Sequence, residues 1–217
     1  MRRKIPDILT AEEQKKLLDI FNQRYLSGQR NHLLVKTFLD TGLRLSEAIN
    51  LKWSHLSRDI SGDMKMKVVE GKNDKDRIVW LNDDLIEELN SWKERQTEEI
   101  RDCNYIFTTH NGDPLQPTYV QNMIYNYAEK AGIQEETTKH YRDEDGNKLD
   151  EIYKEKKVSV HTLRHTLATD LYRETKDLRV VQKVLGHADI STTQIYTHLV
   201  DDDVKEGMKN LRKNINS

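Results

Sequence analysis

Apolar residues recur three and four apart along most of this chain, and in one central stretch the pattern switches to a two-residue alternation. Period decides which element a segment can form. A helix brings every third or fourth side chain to one face, and a strand every second. Leu17, Leu18 and Phe21 make the first helical face. Ahead of them, Thr10-Ala11-Glu12-Glu13 has the form of a capping box, with Thr10 as N-cap and Glu13 three residues on. Gly28 reads as the break after this helix. Leu33, Leu34, Val35, Phe38 and Leu39 predict a second, well-buried helix that ends at Gly42. Ser46 is placed to cap a short third helix holding Ala48, Ile49 and Leu51.

The switch comes at 64–69 and 77–81. Met64-Lys65-Met66-Lys67-Val68-Val69 and Arg77-Ile78-Val79-Trp80-Leu81 read as two strands joined by a polar turn, Gly71 to Asp76. Helix returns from Asp83 to about Arg101, and Tyr105-Ile106-Phe107 reads as a short strand. Pro117 stands where a helix begins, with Val120, Met123, Ile124 and Tyr127 as its buried face. Residues 134–157 are a polar interruption in which Asp145-Gly146 suggests the turn of a second hairpin. Asp143, Asp145 and Asn147 mimic a calcium loop, but Lys148 replaces its glycine and Lys154 its closing glutamate, so a plain turn is expected. Helices resume at 161–175 and 178–185. A last amphipathic helix is expected at 202–213, with Val204, Met208 and Leu211 on one side. The expected fold class is mainly α (α+β), with a small antiparallel sheet at one edge.

Composition limits the function classes. At 217 residues the chain suffices for one large domain or two small ones. The net charge of −2 lacks the basic excess that would announce nucleic acid by itself. A DNA-binding surface must then come from local clustering, with acids segregated elsewhere, as at Glu135-Glu136 and Asp201-Asp202-Asp203. The single cysteine, Cys103, allows no intrachain disulfide and fits a reducing compartment. No stretch approaches membrane-spanning length, and the N-terminus lacks a signal peptide's apolar core. The expectation is a cytoplasmic protein with no membrane partner.

The chemistry concentrates near the C-terminus. His161-Thr162-Leu163-Arg164-His165, Leu185-Gly186-His187 and Tyr196-Thr197-His198 follow one another at short intervals, and Thr41-Gly42-Leu43-Arg44-Leu45-Ser46-Glu47 supplies a second arginine upstream. Arginines, histidines and a tyrosine without a carboxylate cluster fit attack of a tyrosine hydroxyl on a phosphodiester. Negative charge grows on the phosphate as a fifth oxygen approaches, and fixed cations lower that barrier. The planar fork of arginine suits a phosphate and stays charged. His161 and His165 stand four apart, a spacing that also chelates metals. No glutamate follows His161 as in the zinc-protease pattern, and Arg164 between the two would repel a cation. The reading therefore calls for no metal and no cofactor, with His165 as a packed residue.

From about Pro6 onward these motifs resemble the catalytic domain of the tyrosine recombinases, the phage-integrase and Xer-like family. The resemblance implies that Arg44, Arg164, His161 and His187 stabilise the transition state and move protons. It implies that Tyr196 forms a 3′-phosphotyrosyl link to DNA, and that Lys72 in the turn between the strands protonates the leaving 5′ oxygen. Lys75 competes with Lys72 for that role. Glu47 resembles the acid that buttresses the family's site, and an ordinary first-turn helix acid explains it nearly as well. The implied function is site-specific cleavage and rejoining of double-stranded DNA, for integration, excision or resolution. Four protomers would act on two synapsed duplexes, linked through 202–213; folded back on its own domain, that helix would leave a monomer. A type IB topoisomerase and a non-cutting DNA-binding accessory protein are the competing readings. Within this frame, 1–9 is a lead-in, 10–200 the catalytic domain with 134–157 as a hairpin insertion, and 201–217 a docking segment. The family's N-terminal core-binding domain is expected to be absent.

Overall fold

A computed structural model describes residues 7–69, 76–100, 103–142, 148–186 and 208. Among them, seven α-helices and five strands form. The helices are α1 (Ala11–Asp19), α2 (Leu26–Thr41), α3 (Leu45–Ile49), α4 (Asp83–Glu99), α5 (Pro117–Lys130), α6 (Val160–Thr175) and α7 (Leu178–Leu185). The strands are β1 (Leu56–Arg58), β2 (Met64–Val68), β3 (Arg77–Trp80), β4 (Glu136–Arg142) and β5 (Lys148–Lys156). None of the described helices is long and apolar enough to cross a membrane.

Helix α2 is the central post. Leu33, Leu34, Val35 and Phe38 on it are almost fully buried, and it packs against α1, α4 and α6. The expected capping box starts α1: Thr10 Oγ1 accepts from the Glu13 N–H at 3.2 Å, and the Glu13 carboxylate accepts from the Thr10 N–H at 2.8 Å. The lead-in is tied to the core just before it. Leu9 is buried, and its N–H donates to Thr166 Oγ1 on α6 at 2.9 Å. Gly28 does not break α1. That helix ends at Asp19, and Gly28 lies within the first turn of α2. A Cβ there would collide with the Asn22 carbonyl oxygen, so the glycine permits the loop to fold tightly onto the helix.

The central sheet has the order β1-β2-β3 and is antiparallel throughout. Strand β1 carries no alternating pattern long enough to read from sequence. Its register, Leu56 opposite Met66, comes from its neighbour. Met66, Val68 and Val79 face the core, while Ile78 and Trp80 are exposed on the other face. Residues 105–107 form no strand. Tyr105 makes one isolated bridge to Lys52, and the Ile106 N–H donates to the Leu51 carbonyl at 2.9 Å. Further pairing is replaced by side chains: Trp92 Nε1 and Gln96 Nε2 both donate to the Ile106 carbonyl. The polar interruption is a two-stranded hairpin, β4 with β5, and its expected Asp145-Gly146 turn lies outside the described residues.

Gln96 holds α4 to the loop at 103–108. Buried on α4, it accepts from Trp53 Nε1 at 2.8 Å and donates towards the Tyr105 carbonyl and Thr108 Oγ1. Gln96→Ala takes the acceptor from Trp53 Nε1 and a donor from the Tyr105 carbonyl and Thr108 Oγ1, and we predict a loss of about 1–3 kcal/mol. Urea unfolding checks this as a lower midpoint with an unchanged slope.

Candidate active site

Helix α2 ends where the sequence motif begins. Gly42 closes it at φ 62°, a left-handed cap, and its N–H returns to the Phe38 carbonyl. A Cβ on Gly42 would meet the Leu167 and Leu185 side chains at 2.8 Å. The C-terminus of α2 is thus pressed against α6 and the end of α7. Arg44 follows two residues later as the N-cap of α3. Ser46 is not that cap; it lies inside the helix. The capping acceptor is Glu47, whose Oε2 takes the Arg44 backbone N–H at 2.7 Å.

Glu47 does more than cap. Its Oε1 accepts from Arg44 Nη1 at 3.0 Å. Arg77 Nη1 and Nη2 reach Oε1 and Oε2 at 2.8 and 2.9 Å, a two-pronged pair. The side chains of Glu47 and Arg77 are only 5% and 7% exposed, whereas that of Arg44 is 37% exposed. The buried carboxylate is therefore held from inside by Arg77, while Arg44 keeps a face towards solvent.

Arg164 sits in the second turn of α6, whose N-cap is Ser159. It is buried, and its guanidinium donates to the Gly42 carbonyl and, at 2.6 Å, to the Leu185 carbonyl. Arg77 Nε donates to the neighbouring Val184 carbonyl at 3.0 Å. These carbonyls belong to the ends of α2 and α7, where helices leave acceptors unpaired and carry partial negative charge. The two arginines satisfy them. His161 lies exposed one turn before Arg164. Gly186 caps α7 at φ 67°, and His187 is next in the chain. Arg44, Glu47, Arg164 and, through its helix, His161 are thus assembled around one junction. Lys72, Lys75, His187, Tyr196 and the helix expected at 202–213 lie outside the described residues, apart from the single residue Met208.

His165 is half-buried on α6. Burial, together with the nearby His161 and Arg164 charges, pushes its imidazole down to about 4. With that value the ring is neutral at ordinary pH. Arg77 is the residue that the sequence motifs miss. By pattern it is only a strand residue, yet it takes an inward place beside Val79, and a charged side chain at an inward strand position signals a buried partner.

Residues 7–202 match the Phage integrase family. The chain belongs to this family. It is 33% identical over 204 residues to tyrosine recombinase XerH of Campylobacter jejuni, covering 93% of this chain and 51% of that protein. It is 33% identical over 207 residues to tyrosine recombinase XerD of Staphylococcus saprophyticus, covering 94% of this chain and 62% of the relative. Among solved structures, XerH site-specific recombinase bound to palindromic difH substrate, in a post-cleavage complex, superposes with a TM-score of 0.71 at 30% identity, over 94% of this chain and 53% of that one. The chain spans about half to two thirds of the length of these relatives. The mainly helical fold with its small antiparallel sheet is the family's catalytic fold.

Two predictions test the site's energetics. Glu47→Ala leaves the Arg77 charge buried without its carboxylate and is expected to cost about 3–5 kcal/mol, whereas Arg44→Ala, at a half-exposed position, costs roughly 1 kcal/mol or less; paired denaturant titrations read the contrast. His165 gives a pH signature. Its folded value lies below the ordinary 6.5, so the unfolded chain takes up a proton first as pH falls. Stability is lost from about pH 6.5 down to about pH 4 and levels off below. His165→Leu is predicted to flatten the melting temperature across that window.

Proposed function

We propose that this chain is the catalytic domain of a site-specific DNA recombinase that cuts and rejoins strands through a 3′-phosphotyrosyl intermediate. The observation that carries the reading is the chain of bonds that runs from Arg44 through Glu47 and Arg77 to the end of α7, where Arg164 is also held, with His161 one turn before Arg164. Two fixed guanidiniums at one site match the charge that develops on a pentacoordinate phosphate. The hydroxyl of Tyr196 attacks phosphorus, the bond to the 5′ oxygen breaks, and Lys72 gives that oxygen its proton. His161 and His187 exchange protons and hydrogen-bond the phosphate. A phenolate leaves readily enough for a 5′ hydroxyl of a partner strand to reverse the step. The substrate is double-stranded DNA, a reading supported by the XerH relative, which was solved bound to palindromic difH substrate. Assembly of four protomers on two duplexes is part of the same reading.

The experiment uses nicked duplexes with randomised arms, in which the short strand diffuses away after cleavage and traps the adduct. Denaturing gels are expected to show a protein–DNA adduct with the wild-type chain and none with Tyr196→Phe. Arg164→Ala should slow its formation about 10²–10³-fold. An adduct that persists in Tyr196→Phe contradicts the assignment. DNA binding without any adduct supports the accessory-protein reading instead.

A further inference from the structure

We infer that Arg77 is a positioning residue for strand cleavage, acting through Glu47 on Arg44 and through the Val184 carbonyl on the turn that leads to His187. The inference rests on the proposed recombinase reading and adds to it a residue that none of the motifs contains. Three observations support it. Arg77 grips both oxygens of Glu47, the carboxylate that also holds Arg44 by side chain and backbone. Its Nε binds the Val184 carbonyl in the last turn of α7, so one guanidinium links β3, α3 and α7. Gly186 is shaped to receive it: a Cβ there would stand 2.6 Å from Arg77 Cδ and 3.0 Å from Nε.

The slot at Gly186 distinguishes this arrangement from an ordinary buried ion pair. A pair that served stability alone would need only charge and burial. Here all three nitrogens of a planar fork are committed, two to Glu47 and the third to a carbonyl two residues before the α7 cap. Lysine offers one point charge on a flexible stem and cannot reproduce that geometry. Arg77→Lys therefore keeps the charge while releasing the junction, and a small misplacement at a reacting centre is enough to cost about 10²-fold in rate.

The test compares the full chain with Arg77→Lys, Arg77→Ala and Lys72→Ala on a nicked duplex recovered by adduct capture, at saturating protein. Each is also run on the same duplex with sulfur in place of the bridging 5′ oxygen. In both substrates the Tyr196 oxygen bonds to phosphorus and the bond to the 5′ atom breaks. A departing thiolate needs no proton, so sulfur bypasses the leaving-group acid. Arg77→Lys is expected to form adduct about 10- to 100-fold more slowly on both substrates. Its DNA dissociation constant should stay close to wild type, its melting temperature should fall but stay well above the assay temperature, and sulfur should rescue Lys72→Ala alone. Wild-type rates in Arg77→Lys and Arg77→Ala overturn the inference. So does a loss explained by weaker binding or unfolding, or rescue of Arg77→Lys by sulfur, which would assign Arg77 to the leaving group. If the wild type forms no adduct, the recombinase reading fails and this one fails with it. An adduct undiminished in the Arg77 variants overturns this inference alone.

Discussion

The Glu47 carboxylate is the constraint on which the rest of the site depends. A buried carboxylate is costly unless its charge is matched and its oxygens are bonded. Arg77 matches the charge from the sheet side, and the Arg44 N–H and guanidinium supply further donors from α3. That arrangement fixes where β3 lies relative to α3, and α7 then follows, because Arg77 also holds the Val184 carbonyl. One acidic side chain thus sets the relation between a strand, a short helix and a helix end that are distant in sequence. The helical half of the site answers to a second cation. Arg164 ties the ends of α2 and α7 through their carbonyls.

This architecture shows how a chain with a net charge of −2 gathers guanidiniums at one junction, as the proposed phosphate site requires. The guanidiniums are placed by buried acceptors rather than by a general excess of basic residues. Arg77 and Arg164 are consumed in structure from one side, at positions where the ends of helices favour cations. Arg44 remains the half-exposed member. Electrostatic stabilisation of a transition state demands such prior fixing, since charges that must reorient during the reaction contribute less.

The order of helices is legible in the sequence because each carries a strong period or a chemical cap. Thr10 with Glu13, Gly42 and Pro117 mark their ends as the sequence suggests. Departures arise where tertiary contact overrides local signals. Gly28 looks like a helix breaker, and only the close approach of the Asn22 carbonyl explains it. Residues 105–107 have strand composition, yet the Tyr105 and Ile106 carbonyls accept from the Trp92 and Gln96 side chains instead of a ladder. Ser46 is the right residue type for a cap but sits two positions too late. In the site, Arg44, Glu47 and Arg164 are singled out by the resemblance of their motifs to the family's, Glu47 less sharply than the arginines. Arg77 is not, because its partner lies thirty residues away in sequence, and only its inward place in β3 hints at it.

The chemical identity of the covalent link is the most direct test of a tyrosine nucleophile at this site. The captured adduct would be trimmed with nuclease and protease and sequenced by tandem mass spectrometry. One modified peptide is predicted, carrying a nucleotide through its 3′ phosphate on Tyr196. A nucleotide on any other side chain, or a link through a 5′ phosphate, would contradict it.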